Sequence, residues 1–139
     1  MCVSLGGCAS LSKPTGARFA SVEIQRHTRQ EIEAATIKVF ERAGYSSMKE
    51  ESELVFDSEG KEWMQLAYGS NIAGGPPVSE RVRAQVVDQN DGFFRLQCRA
   101  YVVQTTGGSN VKEIKLRQPR NDPYVELLEQ VARELSKTP

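Results

Sequence analysis

Four arginines at alternating positions are the side chains of this sequence best suited to chemistry. Arg81 and Arg83 are two apart, and Arg95 and Arg99 are four apart with Gln97 between them. Residues two apart on a β-strand point to the same face. Asn90-Asp91-Gly92 separates the two segments and is a hairpin signal, because all three residues tolerate positive φ. In the expected hairpin register, Arg81, Arg83, Arg95 and Arg99 share one side of two paired strands, with Gln97 and Tyr101 among them. Such a guanidinium cluster fits an acidic partner, a glycan or lipid head group, or RNA. The plainer alternative is a solvated sheet face whose arginines pair with neighbouring carboxylates. A second candidate is the stretch from Ser70 to Pro77, which contains Gly74-Gly75-Pro76-Pro77 and lies near Trp63, Tyr68 and Asn71. A Gly/Pro-rich loop beside aromatics can rim a ligand pocket, or its aromatics can simply seal the edge of the core.

Other chemistries find less support. A hydrolytic triad needs a base within reach of its nucleophile. The single histidine, His27, sits just ahead of a helix cap, and no serine or cysteine lies in a nucleophile-elbow sequence. Cys98 falls on the expected buried face of a strand, where a thiol packs as a small apolar group rather than reacting. Glu50, Glu51 and Glu53 are close in sequence but alternate sides along an expected strand, which suits a solvated edge better than a metal site. Gly74-Gly75 and Gly107-Gly108 match neither a phosphate loop nor a dinucleotide fingerprint. No catalytic residue, metal or cofactor is therefore expected.

The elements that would position these side chains follow from periodicity. Arg18 to Ile24 suggests a strand with Ala20, Val22 and Ile24 on one face. Thr28 to Ala43 suggests a helix: Thr28 and Glu31 have capping-box spacing, Ile32, Ala35, Thr36, Val39 and Phe40 form one stripe, and Gly44 closes it. Met48 to Phe56 suggests one strand, and Asp57-Ser58-Glu59-Gly60 a turn. Lys61 to Tyr68 suits either a strand or a short helix. The helix is preferred, opened by Ser58 or Glu59, closed by Gly69, and burying Trp63, Leu66 and Ala67. Val78 to Gln89, Phe93 to Gln104 and Val111 to Arg117 form a three-strand meander. Its inward face carries Val82, Ala84 and Val86, then Phe94, Leu96, Cys98, Ala100 and Val102, then Ile114 and Leu116. Asp122 caps a last helix with Pro123 at its first position and a stripe of Tyr124, Leu127, Leu128, Val131, Ala132 and Leu135. The expected fold is α+β: a two-layer sandwich in which an antiparallel sheet of four to five strands carries two helices on one face.

Composition bounds the rest. The 139 residues suit one domain, expected at 17–137 behind a leader and tether at 1–16. Eighteen basic and eighteen acidic residues leave no net charge, which argues against nucleic acid as a partner. No stretch approaches the roughly 20 apolar residues that span a bilayer as a helix. The three cysteines, Cys2, Cys8 and Cys98, form no disulfide framework. Leu5-Gly6-Gly7-Cys8, followed by a Ser-, Lys-, Pro- and Gly-containing segment to Gly16, resembles the lipobox of bacterial lipoproteins. That resemblance implies a diacylglycerol on the Cys8 thiol, cleavage just before Cys8 and a longer leader encoded ahead of Met1. Ala9 and Ser10 after the cysteine imply outer-membrane sorting, with the domain facing the periplasm. A cytoplasmic chain with three reduced thiols is the alternative address. The helix–meander–helix order is similar to helix-grip domains, including those of BamC-type outer-membrane assembly lipoproteins.

Three functions are weighed on these grounds. The first is a lipid-anchored envelope protein whose domain is a non-catalytic interaction or scaffolding module with an envelope protein partner. The second is a small-molecule or lipid carrier with a cavity lined by Phe40, Phe56, Phe94 and Leu128. The third is an enzyme.

Overall fold

A computed structural model describes residues 19–69, 77–106 and 110–137. In chain order the elements are β1 (Ala20–Gln25), α1 (Arg29–Arg42), β2 (Ser46–Glu50), β3 (Glu53–Glu59), α2 (Glu62–Tyr68), β4 (Ser79–Asp88), β5 (Phe93–Thr106), β6 (Asn110–Lys115), a short 3-10 turn (Gln118–Arg120) and α3 (Asp122–Ser136). The strands make one six-stranded antiparallel sheet in the order β1-β5-β4-β3-β2, with β6 also paired to β5. β5 runs 14 residues and is flanked by β4 on one edge. On its other edge β1 pairs with Phe93 to Cys98 and β6 with Tyr101 to Thr106, so the two short strands lie end to end. The junction is tied: Asn121 and Gln118 both donate side-chain amides to the Phe19 carbonyl, at 2.9 and 3.4 Å, and the Leu116 amide donates to the Ala100 carbonyl at 2.9 Å.

Helices α1 and α3 cover one face and leave the other bare. In α1 the capping box forms between Thr28 and Glu31, and Ile32, Ala35, Thr36, Val39 and Phe40 are the buried residues, all on the expected stripe. In α3 Tyr124, Leu128, Val131 and Leu135 are buried. Beneath them Val82, Leu96 and Val102 are fully buried, so apolar area removed from water on this face drives the layers together. Phe40 stacks on Phe56 with ring centroids 4.2 Å apart, and Leu128 is fully buried, so a carrier cavity between these residues would require this packing to open. Phe94 sits half-buried at the margin under the Arg29 guanidinium. Among the described residues no helix is long and apolar enough to cross a membrane.

Three expectations need correction. The sheet has six strands rather than four or five, because 46–59 is a hairpin and not one strand followed by a turn. Glu51 adopts φ +50 in a two-residue turn whose closing pair is Glu50 opposite Glu53, and Asp57 to Glu59 continue β3. Neither turn residue is glycine or asparagine, so the composition gives no warning of it. The short helix α2 forms as expected but starts after Lys61 and buries Met64, while Leu66 is 73% exposed. Its orientation is set by Gln65, whose side chain donates to the Val78 carbonyl at 2.8 Å and accepts from the Val78 amide at 2.9 Å. Gly60 precedes it at a point where a Cβ would come 2.7 Å from the Val78 carbonyl oxygen, so backbone meets backbone there. Finally, Asn121 rather than Asp122 precedes α3, and its side chain is spent on Phe19 instead of capping.

Candidate functional site

The strand register brings Arg81, Arg83, Arg95, Arg99 and Tyr101 onto the bare face, as their alternation requires. Arg81 lies opposite Asp57 on one side and Tyr101 on the other, and Arg83 opposite Val55 and Arg99. Their partners are found far away in sequence. Arg81 makes a fork-to-fork contact with Asp57 at 2.7 and 3.2 Å and reaches Glu113 at 3.0 Å. Arg83 grips Glu113 at 3.2 and 2.8 Å and also donates to Glu50 at 3.2 Å and Glu53 at 3.3 Å. Charge-assisted contacts of this kind favour the ionised forms. Hydrogen bonds from Arg83, then its charge, hold the Glu113 carboxyl below the usual carboxylate range, and the same contact holds Arg83 above the usual guanidinium value. Arg81 is raised chiefly by its bond to Asp57.

Glu50 and Glu53 therefore do not alternate sides. The two-residue turn sets them opposite each other, a like-charge pair that would repel without Arg83 between them. Arg95 is turned to neutral partners, Gln97 at 2.9 Å and Gln89 at 3.2 Å. Arg99 is different: among the described residues its guanidinium has no hydrogen-bond or ion-pair partner, although it lies directly opposite Arg83. It lines a hollow of about 240 Å³ together with Glu53, Arg83, Gln85, Gln97 and Tyr101. A second hollow of about 520 Å³ adjoins it, sharing Glu53 and Gln85 and extending to Glu50, Glu51 and Ser52.

Two of the aromatic-loop candidates fall within the described residues. Trp63 and Tyr68 meet edge to face at 6.5 Å on α2, while Asn71 lies outside the described residues, as do Cys8 and the lipobox-like segment. Arg120 stacks over Trp63 at 4.1 Å, and the hollow beside it, about 230 Å³, is lined by Lys61, Pro119, Asp122, Pro123 and Tyr124 rather than by Tyr68. His27 is partly covered and contacts Glu31 at 3.3 Å. Cys98 is buried, and burial pushes its thiol up to about 12, which leaves it protonated and unreactive at neutral pH.

A buried carboxylate on the helix-covered face was not anticipated. Glu80 is 2% exposed. Its Oε2 accepts hydrogen bonds from the Tyr124 hydroxyl at 2.6 Å, the Tyr45 hydroxyl at 2.7 Å and the Lys61 ammonium at 2.8 Å. Lys61 also sits 5.0 Å over the Tyr124 ring. Burial, reinforced by the Glu80 charge, drives both tyrosine hydroxyls well above their ordinary range, so they stay protonated as donors. One carboxylate thus ties β4 to α3, to the segment after α1 and to the start of α2. The available signal was parity: Glu80 shares its side of the strand with Val82, Ala84 and Val86. No group of three or more metal-binding side chains occurs among the described residues.

Compared with known proteins, the chain is matched by no family model and by no curated protein. Among solved structures it is similar to the adenylate sensor from AMP-activated protein kinase, solved in complex with ZMP. The identity is 15% and the TM-score 0.47, over 84% of this chain and 95% of that one. A likeness at that level carries no argument about what this chain binds.

Proposed function

We propose that this chain is a cell-envelope lipoprotein, held to the membrane through Cys8, whose domain works as a non-catalytic interaction module. The lipobox-like segment and the tether behind it support the address. The binding surface is the bare sheet face, and the observation that carries it is Arg99: a guanidinium with no partner among the described residues, set in a hollow beside Gln85, Gln97 and Tyr101. Leaving such a group unmatched while its neighbours Arg81 and Arg83 are fully engaged favours a partner that supplies the missing acceptor.

Two experiments test the two halves. Expressed from the complete gene, the wild type fractionates with membranes and Cys8→Ser does not; unchanged fractionation rejects the anchor. A photo-crosslinking residue at Gln97 yields a discrete adduct in intact cells, and Arg99→Met abolishes it. The same residue at Glu129, on the exposed side of α3, yields none. Equal adducts from both positions, or an adduct indifferent to Arg99, reject the sheet face as the binding surface.

A further inference from the structure

The charges of the bare face are segregated, and the segregation specifies a ligand. Around Arg81 and Arg83 stand four carboxylates, Asp57, Glu113, Glu50 and Glu53, so this part of the face keeps a surplus of negative charge even with both arginines fully paired. Glu51 adds to it beside the larger hollow. The other end is basic. Arg99 has no acceptor among the described residues, Lys115 lies opposite Tyr101 in the register, and the hydrogen-bond partners of Arg95 among the described residues are neutral amides. Glu23 lies opposite Arg95, and Glu113, two residues from Lys115 on β6, is held by Arg81 and Arg83. Between the two ends the floor is neutral: Gln85 and Gln97 face each other across β4 and β5, their amides 3.4 Å apart. The oxygen of the Gln85 amide is engaged in that contact, and its NH2 group has no partner among the described residues and can serve a ligand.

We infer that the joined hollows bind a short dipolar peptide, its carboxylate on Arg99 and its ammonium against Glu50 and Glu53, with Gln85 and Gln97 hydrogen-bonding its backbone. This deepens the proposal above and rests on its reading of the bare face as the binding surface. Arg99 and Glu53 are two strands and two residues apart in the register, so the charged ends are separated by about 10–15 Å at ordinary strand spacings. An extended chain of three or four residues covers that span. A phosphate or a purely acidic ligand would meet one unpaired guanidinium and a surplus of carboxylates, and like charges at such distances suppress binding. A dipolar ligand sets one charge of the opposite sign against each end.

The test is an array of end-blocked tetrapeptides probed with the full-length protein. One class is dipolar, with Lys at one end, Asp at the other and varied middle residues in both orientations. A second replaces Lys by Gln, a third replaces Asp by Asn, and a vesicle arm carries anionic phospholipid head groups. The dipolar class binds above the others. Arg99→Met lowers its affinity by roughly tenfold to a hundredfold, the scale of a charge-assisted contact, and Glu53→Gln lowers it by a smaller factor. The two variants act at opposite ends of the groove, and a circular-dichroism spectrum like wild type shows that each is folded. Equal binding of the Lys-to-Gln class, preference for the vesicles, or no class above the Arg99→Met background overturns the inference. If the array fails while the Gln97 adduct persists and still depends on Arg99, the peptide class is wrong and the sheet-face surface stands; if the adduct fails too, the surface falls with it.

Discussion

Glu80 and Glu113 are both carboxylates that collect donors from distant parts of the chain, and they sit on opposite faces of the same sheet. Glu80 is enclosed under the helices and is held by two neutral hydroxyls and one ammonium. Glu113 is on the bare face and is held by two guanidinium groups. The contrast separates two ways of placing charge. A buried carboxylate must be almost completely supplied with donors, because an unmatched charge in the core costs far more than the pair returns. A carboxylate at the rim shares its partners with water, so its network can be uneven. The bare face is uneven: Arg83 has three carboxylates, while Arg99 has none among the described residues.

The largest effect expected from breaking this contrast is at Glu80. Glu80→Ala leaves two buried hydroxyls and an ammonium without their acceptor and costs about 3–5 kcal/mol in urea unfolding. Glu80→Gln keeps an acceptor and costs less. If Glu80→Ala proved no worse than a change on the bare face, the two carboxylates would not differ in kind. Arg83→Met comes next, at about 1–2 kcal/mol. Side-chain exposures of 21% for Arg83 and 27% for Glu113 place it below the buried case. A double-mutant cycle with Glu113→Gln isolates the pair term.

The two faces also respond to opposite ends of the pH scale. Glu113 has a folded pKa below its unfolded value, so its contribution is present above the ordinary carboxylate range near pH 4.5 and is lost as pH falls through the lowered folded value. Arg83→Met should flatten the acid limb of a stability–pH curve. Tyr45 and Tyr124 are shifted upward, so their contribution is complete below the ordinary tyrosine value of about 10 and is lost as pH rises from there towards their folded values. Arg83→Met should leave that alkaline limb in place. The smallest effect is at Arg99. With no partner among the described residues to lose, Arg99→Met should leave unfolding midpoints within about 0.5 kcal/mol of wild type. A larger loss would show that Arg99 is a structural residue.

Local signals located most of the scaffold and part of the surface. The α1 stripe, the capping box at Thr28 and the inward side of the meander all follow from periodicity, and all are found where the pattern puts them. Asn90 and Asp91, at φ +75 and +57, turn the β4–β5 hairpin as their residue types suggest. That hairpin fixed which arginines would share a face. It did not fix their partners, because Asp57 is 24 residues from Arg81 and Glu113 is 30 from Arg83, and each comes from a strand whose position depends on the finished sheet. The β2–β3 hairpin carries little local signal, because Glu51-Ser52 is poor turn chemistry, sustained by the ladder on either side. Residue type assigns a glutamate in an alternating strand to water, whereas the parity of Glu80 with Val82 assigns it to the core.

The end-to-end seating of β1 and β6 along β5 has a consequence for how the sheet frays. Loss of β1 uncovers the edge of β5 from Phe93 to Cys98, and loss of β6 uncovers it from Tyr101 to Thr106. Neither opening frees the edge that faces β4. Hydrogen–deuterium exchange should therefore resolve β5 into two blocks that lose protection in separate local openings, with the boundary at Arg99 and Ala100, next to the hollow on the bare face.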